Sequence, residues 1–306
     1  MARSAHPVRL MATSARLSQR AAPAAGPARG STFLRALLRS PSGAVGLAIV
    51  LTLVVAAILA PYVAPFDPLR MAAGPRLSPP SLNHLFGTDD FGRDVFSRVV
   101  YGTRLTLQIG LIAVGISLTS GLLLGLVGGY GGGWTERILM RGVDVLFSFT
   151  EIVIALACLA ILGTGLTNAM IAVGIASIPF YARITHSVVL VEKNKPYFES
   201  AISAGAGHLR LIFIHLLPNV VPTMIVIGTL GISTAVLAAA GLSFLGLGAQ
   251  PPAPEWGFML ASSRDLISRA PWNMIFPGLA IAITVLGFNL LGDGIREVLD
   301  PRQQRG

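Results

Sequence analysis

Glu199-Ser200-Ala201-Ile202-Ser203-Ala204-Gly205, followed after nine residues by His215-Leu216-Leu217-Pro218, stands between two apolar runs that are each long enough to cross a bilayer. Pro196 suits the first turn of a helix, where its missing N–H is not needed, so Tyr197 through Ala204 reads as a short helix. Gly205 falls where a helix end calls for a left-handed residue. Phe198, Ala201 and Ile202 share one face, an apolar ridge for insertion into a groove of another protein. His208 to His215 reads as a second helical piece returning to the membrane and stopped by Pro218. Glu192, Lys193 and Lys195 read as solvated charges beyond the apolar run that precedes Pro196.

The rest of the chain explains why such a loop lies between membrane spans. It is 53% hydrophobic and 12% charged, against about 25% charged in an average soluble domain. A membrane helix needs roughly 20 mostly apolar residues. Charge-free intervals supply five, Pro41–Phe66, Leu105–Thr135 with its apolar body ending near Tyr130, the later part of Ile152–Ala182, Leu211–Pro254 and Ala270–Gly292, and Ile138–Gly163 makes the third of six spans, unusual in carrying Asp144 and Glu151. Gly163-Thr164-Gly165 separates the third span from the fourth. An even number of spans puts both termini on one side. Most basic residues, including the group from Arg3 to Arg39, Arg137, Arg141, Arg183, Lys193, Lys195 and Arg210, fall on the N-terminal side. By the positive-inside rule that side, and with it the Glu199 loop, is cytoplasmic.

Residues 1–32, rich in Ala, Arg, Ser and Pro, read as a disordered cytoplasmic tail. The basic stretch and the apolar run after it are both too long for a cleaved signal peptide, so the run is expected to stay as the first membrane helix. The formal charge of +9 does not indicate nucleic acid, because the arginines flank apolar runs instead of forming a patch with aromatics. Cys158 lies in an apolar run as a packing residue. His186, His208 and His215 are not spaced as a compact ligand set, and no metal site is expected.

Between the first two spans runs Asn83-His84-Leu85-Phe86-Gly87-Thr88-Asp89-Asp90-Phe91-Gly92-Arg93-Asp94-Val95-Phe96-Ser97-Arg98. Gly87-Thr88-Asp89 supplies a turn with a capping side chain, and Asp94 with Arg98 forms an i,i+4 acid–base pair. With Val95, Val99 and Phe91 on the other face, the segment reads as an amphipathic helix at the membrane interface. Gly121, Gly125 and Gly129 place small residues on one face of the second span, where a neighbouring helix can approach closely. Gly128 to Gly133, interrupted by Tyr130, loosens the chain beyond it. No lysine loop of the phosphate-binding kind accompanies these glycines.

Asp144 and Glu151 are the acids of the third span, seven residues apart and so on one helical face, about 10 Å apart along the axis at ~1.5 Å per residue. Arg141 is placed to pair with Asp144, whereas Glu151 has no local partner. An acid at this depth points to a pairing role, a wet cavity or a direct cargo contact.

The pattern E-S-A-x-x-x-G with L-P at fixed distance resembles the E-A-A loop of the permease subunits of ABC importers. Ser200 stands where that family usually has Ala. The run H-x-x-G-T-D-x-x-G-R-D-x-x-S-R, carried by Gly87, Thr88, Asp89, Gly92, Arg93, Asp94, Ser97 and Arg98, resembles the dipeptide and oligopeptide permeases, specifically the second of the two paired subunits. Gly241-Leu242-Ser243-Phe244-Leu245-Gly246-Leu247-Gly248, Pro254-Glu255-Trp256-Gly257, Asn289-Leu290-Leu291-Gly292-Asp293-Gly294 and Leu299-Asp300-Pro301-Arg302 match as well, with Trp256 expected at the membrane interface. Glu151 departs from the family, which usually has a Phe-Pro step where this chain reads Phe149-Thr150-Glu151.

The resemblance implies an all-helical, polytopic membrane protein with six transmembrane helices of the type I importer kind. Residues 33–104 would hold the first helix and a periplasmic segment, and 105–302 a five-helix core with a coupling loop at 184–217. Phe198, Glu199, Ser200, Ala201, Ile202, Gly205, His215 and Pro218 would form the contact with an ATPase. The implied partners are a second homologous permease, two ATP-binding subunits, an extracytoplasmic binding protein and the lipid of a bacterial inner membrane. ATP would be used by the partners, with no cofactor on this chain and no catalysis by it. The implied cargo is a di- or oligopeptide, with nickel chelates or glutathione as alternatives. A secondary transporter would leave the Glu199 loop without a purpose, and Asp144 with Glu151 are poorly placed for a membrane-embedded enzyme.

Overall fold

The computed structural model describes residues 30–299. Among them every regular element is a helix: α1 (Gly30–Arg39), α2 (Pro41–Val63), α3 (Val95–Gly131), α4 (Gly133–Phe147), α5 (Glu151–Leu162), α6 (Leu166–Lys193) and α7 (Pro196–Ser203). α8 (His208–Phe244), α9 (Trp256–Ser263) and α10 (Trp272–Leu299) complete the chain. Five helices, α2, α3, α6, α8 and α10, are long and apolar enough to cross a membrane, and α4 with α5 make a sixth if the bent pair is one span. Most of the tail expected over 1–32, with its arginines, lies outside the described residues, as do Asp300, Pro301 and Arg302. α1 takes 30–32 into a helix.

The third span differs most from its expected form. A continuous helix from Ile138 to Gly163 is replaced by α4 and α5, set at 92° to each other. Ser148 Oγ turns back on the Val145 carbonyl at 2.6 Å, and Thr150 is extended (φ −65°, ψ 138°) before α5 starts. Short hydroxyl side chains that bond the local backbone compete with the helix in this way. Asp144 and Glu151 therefore sit on different helices and do not share a face.

α3 and α6 form the centre. Gly121, Gly125 and Gly129 lie against Tyr181, Ala182, Thr185 and Val189 of α6, where any Cβ would overlap them. This is the expected small-residue contact, and it brings two backbones together without a hydrophobic drive from solvent. Ile109, Ala113, Ala172, Val173, Ala239 and Leu242 continue the packing between α3, α6 and α8. α2 packs along α10 on the outside, with Gly46 against Leu290 and Leu291. Pro61, inside α2, has no N–H for the Ala57 carbonyl four residues back. The Arg104 guanidinium of α3 donates to that carbonyl from Nε at 2.5 Å and so ties α2 to the bundle.

The elements place the 64–94 segment, the 163–165 break and the 245–255 turn at one end of the bundle. The Gly132 break and the 194–207 loop lie at the other. α6 runs on to Lys193, so the loop expected from residue 184 begins ten residues later, at Asn194.

Candidate functional site

At the second end, α7 opens at Pro196, its first-turn proline, as expected. It closes with two backbone bonds, Gly205 N–H to Ile202 O at 2.9 Å and Ala206 N–H to Ala201 O at 3.1 Å. This is the Schellman arrangement, which needs a left-handed residue where Gly205 stands, and Gly205 has φ +78°. A Cβ there would meet nothing within 4 Å. The glycine serves the backbone angle and leaves open space around it.

The expected ridge of Phe198, Ala201 and Ile202 is corrected. Phe198 is 2% exposed and packs inward on Leu126, Val189, Leu211, Leu216, Val220 and Met224. Burying a phenylalanine is worth about 2–3 kcal/mol, and here it fastens α7 to the bundle. Ala201 packs partly against the same cluster. Glu199, Ser200, Ile202 and Ser203 are left outward. The periodicity located the apolar face but not the direction in which it points.

Glu192, Lys193 and Lys195 are likewise not free solvated charges. Glu192 is buried; it accepts from Lys195 Nζ at 2.5 Å and from Tyr197 Oη at 2.6 Å. Asn219 Nδ2 donates to Tyr197 Oη at 3.3 Å and to the His215 carbonyl at 2.6 Å. Burial, and then the bond and charge of Glu192, push the Tyr197 hydroxyl well above its usual pKa and keep it a donor. Lys193 Nζ donates to the Gly129 and Tyr130 carbonyls at 2.9 and 3.1 Å, at the end of α3. Tyr197, which the sequence reading passed over, is thus the side chain that joins the end of α6, α7 and the start of α8.

His215 and Pro218 lie in and just after a π-helical turn, Leu211–Leu216, within α8. Pro218 does not stop this helix. The Leu217 N–H reaches back five residues to Ile212 O, and the widened turn carries the chain past a residue that has no donor to place.

At the first end, Gly87, Thr88, Asp89, Gly92, Arg93, Asp94, Ser97 and Arg98 form one buried network. Asp94 is the N-cap of α3, accepting from Ser97 N–H at 2.8 Å and Ser97 Oγ at 2.7 Å, and its other oxygen lies 2.9 Å from His84 Nδ1. Asp89 accepts from Arg93 Nε at 2.5 Å and from the N–H groups of Phe91 and Arg93. Burial, and then the Asp89 charge, raise the neighbouring Asp90 above the usual carboxylate range.

Arg98 does not pair with Asp94 as its spacing predicts. It is buried, 3.8 Å from Asp89, and donates to the carbonyls of Pro68, Pro252 and Ala253. Val95 and Val99 are buried too, and Phe91 is exposed, so this is the buried head of α3 and not an interfacial helix. Trp256, expected at the interface, is 1% exposed and donates to Val99 O at 3.0 Å. Glu255 caps α9 through Gly257 and Phe258, and its burial raises its pKa.

Along the broken span, Asp144 pairs with Arg183 at 2.5 Å and not with Arg141. Arg183 also lies over the Phe147 ring at 4.2 Å. Glu151, in the first turn of α5, accepts from Ser177 Oγ of α6. It faces a cavity of about 220 Å³ walled by Phe147, Phe149 and Phe180. No signal in the local sequence names Ser177, which meets Glu151 only through the packing of α5 on α6.

Residues 121–305 match the family described as "Binding-protein-dependent transport system inner membrane component", and residues 29–80 match the "N-terminal TM domain of oligopeptide transport permease C". The chain is 48% identical to the dipeptide transport system permease protein DppC of Alkalihalophilus pseudofirmus, over 75% of each chain. It is 49% identical to the glutathione transport system permease protein GsiD of Pectobacterium atrosepticum, over 73% of this chain and 74% of that one. An inward-facing structure of the MetNI methionine ABC transporter shares the fold, with TM-score 0.56 and 20% identity over 66% of this chain and 97% of that one. The chain is a multi-pass membrane protein and belongs to the family of inner-membrane permease components of binding-protein-dependent transport systems.

Proposed function

We propose that this chain is one of two paired permeases of an ATP-driven importer that moves di- or oligopeptides handed over by an extracytoplasmic binding protein. The observation that carries the reading is α7. It is a short helix fastened inward by Phe198, closed by Gly205 in the left-handed region, and presenting Glu199, Ser200 and Ile202 outward. A connector needs neither the buried anchor nor the cap; a surface that transmits force to a partner needs both.

In this reading the loop end is cytoplasmic, following Arg137, Arg141, Arg183, Lys193, Lys195 and Arg210, and each permease of the pair meets one of two ATP-binding subunits. ATP is bound and hydrolysed there. This chain contributes a bias between two packings of the bundle. The peptide cargo follows from relatives named for dipeptide and di/tripeptide transport, which share nearly half their residues with this chain over about three quarters of it.

The test is uptake of a labelled dipeptide into proteoliposomes that hold the whole assembly, with ATP supplied on the ATPase side. ATP-dependent accumulation that requires the binding protein is expected. Accumulation driven by an ion gradient without ATP hydrolysis would replace this reading with a secondary transporter. In the same vesicles a cysteine at position 252 is expected to react from the binding-protein side and one at 195 from the ATPase side, in a Cys158→Ala background. The reverse pattern would invert the topology.

A further inference from the structure

Glu151 is an acid without a basic partner among the described residues. A carboxylate has about four lone-pair sites to fill, and Ser177 Oγ supplies one hydrogen bond. The charge nearest in sequence logic, Arg183, is engaged by Asp144. What remains of Glu151 faces the cavity of about 220 Å³, whose other walls include Phe147, Phe149, Phe180 and Ile154.

An unpaired carboxylate beside aromatic faces is the surrounding that favours a compact organic cation. The charge meets the acid and the negative faces of the rings, and the apolar body meets the rings themselves. An anion would be repelled, and a neutral apolar group would leave the acid unpaired at membrane depth, where that is costly. The volume suits a single amino-acid residue.

We propose that Glu151, with Ser177 and the phenylalanine walls, forms a subsite for the ammonium group of the cargo, taking the leading residue of a peptide at the break between α4 and α5. The subsite rests on the peptide reading given above. Its position adds to the argument: with α4 and α5 set at 92°, the first residue of α5 lies beside Ser177 of α6, where a straight span would have kept it in line with Asp144. The ligand chemistry is an alkylammonium, which a peptide presents either as its free N-terminus or as a lysine side chain.

The test uses the whole transporter in nanodiscs, with the photoreactive residue p-benzoylphenylalanine replacing Phe149, and tritiated trialanine as the probe. Illumination is expected to label this chain. Unlabelled trialanine should compete, and N-acetyl-trialanine should not. Glu151→Gln, which keeps the size of the side chain and a group for Ser177 to bond, is expected to cut labelling roughly tenfold with the assembly intact. N-acetyl-Ala-Lys-Ala amide identifies the source: competition by it means that any ammonium is accepted, and failure to compete assigns the site to the N-terminus. A probe at Phe180 in place of Phe149 repeats the measurement if the first variant does not assemble.

Labelling that is unchanged by Glu151→Gln, or competed equally by N-acetyl-trialanine, would overturn the subsite. So would loss of the second permease from the purified Glu151→Gln complex, which would make the carboxylate an interface residue. Uptake of trialanine by the unmodified transporter separates the two levels. Uptake without labelling rejects the subsite alone, and absence of uptake rejects the peptide reading together with it.

Discussion

The two motif-bearing regions of this chain use the same residue types to opposite ends. Around the motif at 84–98, Asp89, Arg93, Asp94 and Arg98 are buried and paired or hydrogen-bonded, and the glycines are hemmed in. A Cβ on Gly87, itself at φ +76°, would lie 2.6 Å from Ser78 O and 2.7 Å from Trp272 Nε1. In the 194–207 loop Gly205 has nearly the same φ and nothing within 4 Å of where a Cβ would stand, and Ile202, Ser203 and Ala204 before it face outward. The first motif is internal architecture: it locks the 64–94 segment onto α3 and the 250–256 turn. The second is a surface held in place from beneath by Phe198, the one proposed above to meet an ATPase. A run of distinctive residues therefore does not by itself reveal whether it serves the fold or a partner; the space around it does.

Removing a hub of the buried network tests the first half of this contrast and should have the largest effect. Asp94→Ala deletes the cap of α3, worth about 1–2 kcal/mol, and leaves His84 and Ser97 without their bonds at about 1–3 kcal/mol each when buried. A fall in the thermal midpoint on the order of 10 °C is expected in detergent, read by the loss of monodisperse protein on heating. A midpoint within a degree or two of the parent would show that the network is not structural.

Gly205→Val tests the second half. It forces a β-branched residue to positive φ, at roughly 1–3 kcal/mol of local strain, in a loop whose anchor Phe198 is untouched. The thermal midpoint should move by no more than about 5 °C, with pairing to the other permease retained. Uptake is expected to fall at least tenfold while ATP turnover continues. Normal uptake with the ATPases bound would make the loop a plain connector.

Tyr197→Phe sharpens the comparison from within the loop, with a smaller effect. It removes the hydroxyl shared by Glu192 and Asn219, worth about 1 kcal/mol, and leaves the ring. Amide exchange over 196–205 is expected to quicken about fivefold, with uptake reduced by no more than about half. Unchanged exchange would mean that Phe198 alone holds α7.

Much of this was legible from periodicity and local signals. The spans follow from charge-free runs, and Pro196 and Gly205 mark the ends of α7 because their backbone chemistry is local. The misreadings share one cause, which is a long-range partner outcompeting a near one. Arg98 had an acid four residues away and took the carbonyls of Pro68, Pro252 and Ala253 instead. Asp144 passed over Arg141 for Arg183. Phe198 had a clear apolar face, but only the packing of α3, α6 and α8 decides that the face turns inward. The break at Ser148–Thr150 carries neither Gly nor Pro, and its only local sign is the hydroxyl pair Ser148 and Thr150 between two apolar stretches, which a reading of the span by hydropathy passes over.

The wide turn at Leu211–Leu216 gives the loop a degree of freedom that a regular helix would lack. Each bond in it reaches one residue further back than an α-helical bond, so the turn stores one residue of slack between the 194–207 loop and the membrane portion of α8. Drawing that residue back into α-helical register would shift the chain beyond it by about 1.5 Å and rotate it by roughly 100°. If α7 meets an ATPase as proposed above, a small pull on it would arrive in the bundle as a screw motion through this turn, where Asn219 Nδ2 bonds the His215 carbonyl.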